Sequence, residues 1–193
     1  MLVIKNVRKT FNKGTVNEKK ALRGINLTLN DGDFVTIIGG NGAGKSTLLN
    51  MIAGAYPVDS GIIEIDGENI TKQPECKRAK YIGRVFQDPM TGTAATMQIE
   101  ENMALAARRG MTRSLRPGIT AKEREFYREQ LKILGLGLED RLTSKDGLLS
   151  GGQRQALTLL MATMNPPKLL LLDEHTAALD PGTAEKVLNL TKR

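Results

Sequence analysis

The sequence predicts an α/β fold in which apolar strands alternate with helices, and two stretches carry that prediction. In the first, the β-branched run Phe34–Ile38 leads into a glycine-rich loop, and residues 46–53 then have helical spacing up to Gly54. In the second, four leucines at 169–172 are typical of a central strand covered on both faces. We therefore expect both runs to be buried parallel strands of one core.

The glycine-rich loop matches a phosphate-binding motif. Residues 39–46, Gly-Gly-Asn-Gly-Ala-Gly-Lys-Ser, fit the pattern G-x-x-x-x-G-K-[ST] at every fixed position. Glycines let successive backbone N–H groups converge on phosphate oxygens, and the following helix N-terminus favours negative charge. Lys45 is expected to reach the β- and γ-phosphates and the Ser46 hydroxyl to bind Mg²⁺, so the loop predicts a nucleoside triphosphate site.

Two acids follow the leucine run. Asp173 lies just past the predicted strand and can hold Mg²⁺, through water, while Glu174 is placed to polarise an attacking water as general base. The alternative is a buried strand that happens to end in two acids. The phosphate-binding loop elsewhere in the chain favours the catalytic interpretation.

A second glycine turn opens another predicted helix. Leu149-Ser150-Gly151-Gly152-Gln153 precedes a helical stretch that stops at Pro166-Pro167, so its backbone forms a second anion site at a helix N-terminus. One chain has little use for a second such site on the nucleotide it already holds. We therefore expect two copies to pair head to tail, each closing on the nucleotide of the other.

With these motifs in order, the chain resembles the ATP-binding cassette of ABC transporters over nearly its whole length. The resemblance implies an α/β P-loop NTPase core of ABC-ATPase type, with an antiparallel β subdomain and a helical insertion. It also implies that Gln87 contacts Mg²⁺ and the water site, that Asp180 in Ala178-Leu179-Asp180 communicates across the dimer, and that Phe11 stacks on adenine. Ordinary core packing at a strand end is the other interpretation of Phe11.

The resemblance thus implies ATP and Mg²⁺ as ligands and assigns three sets of residues. The catalytic residues are Glu174 and Gln87, and the metal ligands are Ser46, Gln87 and Asp173. The nucleotide-binding residues are Phe11, Gly39, Asn41, Gly42, Ala43, Gly44, Lys45, Ser46, Thr47, Ser150, Gly151, Gly152, Gln153 and Asp180.

The predicted organisation follows from the same motifs. Residues 1–87 form the first part of the nucleotide-binding core, residues 88–160 a helical subdomain that carries the signature, and residues 161–193 the second part of the core. Within the insertion, Met97–Ala107 and Thr120–Leu134 have helical patterns, and the second begins with a capping box.

One feature of the family is missing. Its members carry a histidine one helix and one strand beyond the segment of Asp180, where it contacts the γ-phosphate. Only 13 residues follow Asp180 (193 − 180), whereas a helix and a strand average about 11–12 and about 5–6 residues. We therefore expect a truncated chain that is a weak ATPase, with a structural or loop role for His175.

Composition limits the remaining possibilities. No apolar run reaches the roughly 18 residues of a membrane span, and the lone Cys76 excludes an internal disulfide and fits a reducing cytosol. The net charge is +7, and the helical insertion carries a basic cluster that is either a solvated face or a surface for anionic lipid. Its members are Arg108, Arg109, Arg113, Arg116, Lys122, Arg124 and Arg128. Aromatic residues are sparse, which disfavours binding of single-stranded nucleic acid.

The sequence therefore predicts an ATP-hydrolysing subunit of a bacterial ABC transporter at the cytoplasmic face of the membrane. Its expected partners are a second copy in an ATP-sandwich homodimer, a transmembrane permease and an extracytoplasmic solute-binding protein; nucleic acid is not expected. The stretch Asp173–Pro181 resembles that of bacterial cassettes encoded beside a permease and an extracytoplasmic binding lipoprotein. This resemblance implies import of a small solute such as an amino acid, although export systems have similar cassettes. The alternatives are a soluble ABC ATPase of translation or DNA repair, and another P-loop enzyme such as a GTPase or a small-molecule kinase.

Overall fold

The computed structural model describes residues 1–111 and 117–173. The chain divides into two compact units, Met1–Ile82 and Gly83–Arg193. The helices and strands of each unit follow in chain order.

An antiparallel sheet forms most of the first unit. Its strands lie in the order β2-β1-β3-β4. They are β1 (Leu2–Phe11), β2 (Lys19–Leu29), β3 (Ser60–Ile65) and β4 (Glu68–Asn69). All three pairings are antiparallel, which confirms the predicted antiparallel β subdomain. The Asp66-Gly67 turn joins β3 to β4, and both of its residues have positive φ, at 50° and 77°.

Two helices complete this unit, α1 (Lys45–Ala53) and α2 (Glu75–Arg78). Leu48, Met51 and Ile52 on α1 are buried because their i, i+3, i+4 spacing puts them on one face. As predicted, α1 ends at Gly54, which adopts the left-handed conformation with φ 91°.

One predicted strand is absent. Residues 33–40 have no regular secondary structure, and Phe34, Val35, Ile37 and Ile38 are 78%, 50%, 38% and 92% exposed. The prediction of a buried parallel strand at 34–38 was therefore wrong. An apolar run becomes a buried strand only where a neighbour supplies ladder hydrogen bonds and cover, and no described strand pairs with this one.

The second unit is mostly helical. Its elements are β5 (Ile82–Val85, beginning at the unit boundary), α3 (Ile99–Ala107), α4 (Ala121–Lys132), α5 (Gly151–Met164) and β6 (Leu169–Leu172). Short 3₁₀ turns lie at Pro89–Thr91 and Asp146–Leu148. The core collects side chains of α3, α4 and α5, including Met103, Leu131 and Leu157. Both predicted helices of the insertion are present, and α4 begins at the predicted Thr120–Glu123 capping box.

Strand β6 is confirmed, although its burial is less complete than predicted. It pairs with β5, and Leu171 is buried while Leu169, Leu170 and Leu172 are half-buried. Of the four leucine side chains, one is thus buried as the prediction of a fully covered strand requires. Among the described strands β5 is its sole partner, so one edge of β6 has no ladder neighbour there.

Candidate nucleotide-binding site

The phosphate-binding loop has a backbone conformation that favours glycine at two positions. Gly42 and Gly44 have φ of 79° and 98°, in the left-handed region. A Cβ at Gly44 would also lie 2.8 Å from the carbonyl oxygen of Ala21. Within the loop the Ala43 N–H donates to the Gly40 carbonyl at 3.1 Å. The loop therefore turns tightly and passes into α1 without a side chain at the junction.

The N-terminus of α1 suits an anion. No side chain caps it at Gly44, and the N–H groups of a first helical turn have no intrahelical acceptor. The Lys45 ammonium donates to the carbonyls of Gly39 at 2.7 Å and Gly40 at 3.3 Å, so it lies over the loop itself. Ser46 is exposed in the first turn. Backbone donors, a helix dipole and an ammonium in one place fit the phosphates of a nucleotide.

Phe11, the expected adenine platform, ends β1 and is partly exposed. Its ring meets Tyr56 edge to face, with centroids 5.6 Å apart and planes at 81°. The Lys9 ammonium lies over the Phe11 ring at 5.5 Å from the centroid, and an ion pair of 3.0 Å to Asp59 holds it there. Because the ring is oriented by its neighbours and not buried in the core, it can offer a face to a base.

Sequence reasoning missed a residue at the other end of α1. The Arg78 guanidinium is buried and donates to the carbonyls of Met51 and Ile52 at 2.7 and 2.9 Å, in the last turn of the helix. It also donates to the carbonyls of Gln73 and Thr71. Burial lowers the pKa of Arg78, yet a guanidinium stays charged at physiological pH and complements the negative end of the helix.

The second glycine turn caps its own helix. Ser150 is the N-cap of α5: its hydroxyl accepts from the Gln153 N–H at 3.2 Å, and the Gln153 side chain accepts from the Ser150 N–H at 3.1 Å. Gly151, the first helical residue, is exposed, and Gly152 is partly exposed. Their N–H groups have no acceptor inside the helix. A phosphate oxygen reaching this turn would therefore meet glycine backbone and the Ser150 hydroxyl.

A buried ion pair holds this turn in place. Arg154 on α5 lies with its Nε 3.0 Å from Asp146 Oδ2, and its Nη2 donates to the Asp146 carbonyl at 3.0 Å. The Thr93 hydroxyl donates to the same carboxylate at 2.6 Å, and Arg154 also contacts the sulfur of Met90. Residues 90–93, shortly after Gln87, are thus connected to the start of α5 through side chains that sequence reasoning did not single out.

Two predicted metal ligands lie at one end of the β5–β6 pair. The Asp173 N–H, just past β6, donates to the Val85 carbonyl, the last residue of β5, at 3.2 Å. Gln87 follows Val85 by two residues and is exposed. The oxygen ligands of both side chains suit Mg²⁺. The third, Ser46, belongs to the other unit, while Glu174, His175 and Asp180 lie outside the described residues.

The basic cluster of the insertion is largely engaged with protein. Arg108 pairs with Glu123 at 3.1 Å and Arg124 with Glu100 at 2.6 Å. Arg109 donates to the Ala162 carbonyl at 2.9 Å. Three members of the cluster thus have their charge engaged by protein groups, while Arg113 and Arg116 fall outside the described residues.

Comparison with known proteins agrees with this geometry. Residues 22–177 match the family described as ABC transporter. The chain belongs to this family and is an ATP-binding cassette of its kind, which excludes the GTPase and small-molecule kinase alternatives.

Among similar proteins, the tyrosine transport ATP-binding protein of Clostridioides difficile (strain R20291) is 43% identical over 193 residues, 100% of this chain and 76% of that protein. The spermidine/putrescine import ATP-binding protein PotA of Haemophilus influenzae is 37% identical over 93% of this chain and 44% of its own length. A solved dimeric post-hydrolysis state of the cassette MJ0796, bound to ADP and Pi, has a TM-score of 0.84 and 32% identity, covering 99% of this chain and 81% of that one.

Within residues 1–111 and 117–173, no helix is long and apolar enough to cross a bilayer.

Proposed function

We propose that this chain is the ATP-hydrolysing subunit that powers a bacterial ABC transporter and that the transporter imports a small solute. The proposal rests on the geometry of the phosphate-binding loop. Gly44 leaves the first turn of α1 without a side-chain cap, and Lys45 lies over the loop carbonyls. On binding, the Lys45 ammonium would exchange those carbonyls for phosphate oxygens, which accept charge-assisted hydrogen bonds more strongly. Phe11 would stack on adenine.

The second anion site supports the proposed homodimer. The glycine N–H groups at the start of α5, with Ser150, would contact the γ-phosphate held by the phosphate-binding loop of a second copy. The similar cassette MJ0796 has been solved as a dimer. In the closed dimer each nucleotide would be covered by both copies, and Asp180 would communicate between the two sites.

Hydrolysis would depend on this chain's carboxylates. Glu174 would take a proton from the attacking water, and Gln87 would help to position that water. Ser46, Gln87 and Asp173 would hold Mg²⁺, whose charge would offset that of the β- and γ-phosphates. The exposed Ser46 hydroxyl and the shared strand end of Gln87 and Asp173 support this assignment.

The proposed role in transport is supported by the names of two similar proteins. Proteins named for transport of tyrosine and for import of spermidine/putrescine resemble this chain over nearly all of its length. A transmembrane permease would dock on the helical subdomain, residues 88–160, which would place the cassette at the cytoplasmic face of the membrane. Residues 1–87 and 161–193 would form the nucleotide-binding core, and an extracytoplasmic solute-binding protein would deliver the solute.

Two measurements test this function. Glu174→Gln should lower steady-state ATPase by about 10²–10⁴-fold, the usual contribution of general acid–base catalysis, and should trap an ATP-bound dimer. A tagged Glu174→Gln chain with ATP–Mg²⁺ should then recover a polytopic membrane protein from detergent-solubilised membranes of its native host, whereas Lys45→Ala should not. Equal ATPase in wild type and Glu174→Gln would contradict the catalytic assignment, and recovery of ribosomal or DNA-repair proteins alone would contradict a transport role.

A further inference from the structure

Lys19 lies beside the proposed adenine platform. It is the first residue of β2 and the register partner of Phe11 on β1. Side chains of directly opposed residues project to the same face of a sheet. Lys19 is exposed, and its side chain starts next to that of Phe11 on this face.

The Lys19 ammonium ends at the phosphate-binding loop. A Cβ built on Gly42 would lie 3.4 Å from Lys19 Nζ, so the ammonium sits against the middle of the loop. Lys19 thus spans the distance from the residue expected to hold the base to the residues expected to hold the phosphates. A nucleotide that follows the same path would bring its α- and β-phosphates past this ammonium before its γ-phosphate.

Among residues 1–111 and 117–173, no carboxylate takes up this charge. The neighbouring Glu18 accepts from the Gly14 N–H at 2.9 Å, and Asp59 pairs with Lys9 at 3.0 Å. Lys45 differs, because its ammonium already donates to the loop carbonyls. Lys19 is therefore a cation beside the loop without an ion-pair partner in the described structure.

We propose that Lys19 is a phosphate-binding residue that contacts the α- and β-phosphates of the bound nucleotide, as a second cation beside Lys45. This proposal rests on the proposed function, because it uses the same site. Strand β2 places Lys19 directly opposite Phe11 on β1. The end of the β1–β2 pair would therefore hold the base, and Lys19 and the phosphate-binding loop would together hold the phosphates.

The test compares ligands that differ in their phosphates. Affinities of ATP, ADP and adenosine are measured by calorimetry for wild type, Lys19→Ala, Lys19→Arg and the control Lys20→Ala. Lys20 is also exposed but points to the opposite face of the sheet. Lys19→Ala should raise the Kd of both ATP and ADP by about tenfold, the effect of losing one charge-assisted hydrogen bond in a partly exposed place. Adenosine affinity should not change, Lys19→Arg should keep most of the ATP affinity, and Lys20→Ala should match wild type.

Four outcomes would contradict the proposal, each for a different reason. Equal losses for adenosine and ATP would mean that Lys19 only orients Phe11 and would overturn the proposal. An unchanged ATP affinity in Lys19→Ala would also overturn it, provided that Lys45→Ala weakens ATP. If Lys45→Ala too has no effect, the nucleotide site itself fails and the proposal fails with it. A loss that disappears with ADP would place the ammonium at the γ-phosphate and contradict the assigned position.

Discussion

Helices α1 and α5 both have glycine at their N-termini and both are proposed to meet phosphate, yet the two N-termini are built differently. The N-cap of α1 is Gly44, which has no side chain, and Lys45 follows it directly. The N-cap of α5 is Ser150, whose hydroxyl is already used by the Gln153 N–H in a capping box. The first terminus has no side-chain cap and carries an ammonium, whereas at the second the capping box satisfies the N–H groups of Ser150 and Gln153 but not those of Gly151 and Gly152.

This difference predicts an order of binding. The open terminus of α1 has unsatisfied donors and a cation, so it can hold a nucleotide within a single chain. At α5 a phosphate would gain the N–H groups of Gly151 and Gly152 but no ammonium. The N-terminus of α5 should therefore be too weak to bind a nucleotide from solution. It should contact only a nucleotide that is already bound at the phosphate-binding loop of another copy. The contrast favours binding by monomers first and pairing second.

The C-termini of the two helices are alike. The buried guanidinium of Arg78 donates to the carbonyls of Met51 and Ile52 on α1. The half-buried guanidinium of Arg109 donates to the carbonyls of Ala162, on α5, and of Asn165 just beyond it. Burial lowers the pKa of both arginines, and no described carboxylate forms an ion pair with Arg78 or Arg109. In each unit, a cation thus satisfies carbonyls that a helix end leaves without partners.

The largest effects should come from the two N-termini. Lys45→Ala should weaken ATP binding about 10- to 100-fold, because charge-assisted hydrogen bonds contribute about 1.5–3 kcal/mol. Ser150→Arg should leave ATP binding by the monomer unchanged but abolish ATP-dependent pairing, since the larger side chain blocks the approach of a phosphate. Calorimetry measures the first and light scattering the second, both in a Glu174→Gln background. If Ser150→Arg weakens ATP binding by the monomer as strongly as Lys45→Ala does, the proposed order of binding is wrong.

Loss of the arginine at the C-terminus of α1 should lower the free energy of unfolding more than loss of the arginine at the C-terminus of α5. Arg78→Met should lower the free energy of unfolding by about 3 kcal/mol or more, because it orphans carbonyls of α1 and also those of Thr71 and Gln73. Arg109→Met should lower it by about 2 kcal/mol, since fewer carbonyls depend on it. Urea unfolding measures both, and Lys77→Met, a neighbouring exposed cation, is the control. Equal values for Arg78→Met and Lys77→Met would show that the guanidinium contacts add no stability.

Features set by local sequence were predictable. Gly54 ends α1, Ser150 begins α5, and Thr120 begins α4, because caps depend on residues within one turn of each other. The phosphate-binding loop was predictable for the same reason: its glycines, Lys45 and the following helix are adjacent in sequence.

Features that depend on distant residues were not predictable. The run Phe34–Ile38 has the composition of a buried strand, but burial requires a partner that composition does not specify. In the sequence, Arg78 looks like any other cation in a charged stretch. Its hydrogen bonds to α1 join residues that are 26 and 27 positions apart in the chain. The position of Lys19 against Gly42 depends on the register of β1 and β2, which bulges shift along the pairing.

A smaller effect should separate the two roles of Ser150, which is the N-cap of α5 and is also proposed to contact a phosphate. Ser150→Ala should cost about 1 kcal/mol of unfolding free energy through loss of the N-cap, and Thr120→Ala on α4 should cost about the same. Only Ser150→Ala should also weaken the ATP-dependent dimer, because only that hydroxyl would face a phosphate. Differential scanning calorimetry gives the stabilities, and sedimentation with ATP–Mg²⁺ gives the pairing. Equal dimer affinities in the two variants would mean that Ser150 serves α5 alone.

The smallest effect concerns acid stability of the unit that carries α5. The Arg124 guanidinium lowers the pKa of the Glu100 carboxyl by hydrogen bonding, an effect that burial only partly offsets. A carboxyl with a lowered pKa in the folded state adds stability above its unfolded pKa and loses it as the pH falls through the folded value. Wild type should therefore lose stability more steeply than Glu100→Gln as the pH falls below about 4.5, the ordinary value for glutamate. Glu125→Gln removes an exposed carboxyl that pairs with Arg128 on the same helix, so it should keep the wild-type slope. Urea unfolding between pH 6 and pH 3 measures the slopes, and a Glu100→Gln slope equal to that of wild type would show that the Glu100–Arg124 pair is not the acid-sensitive contact.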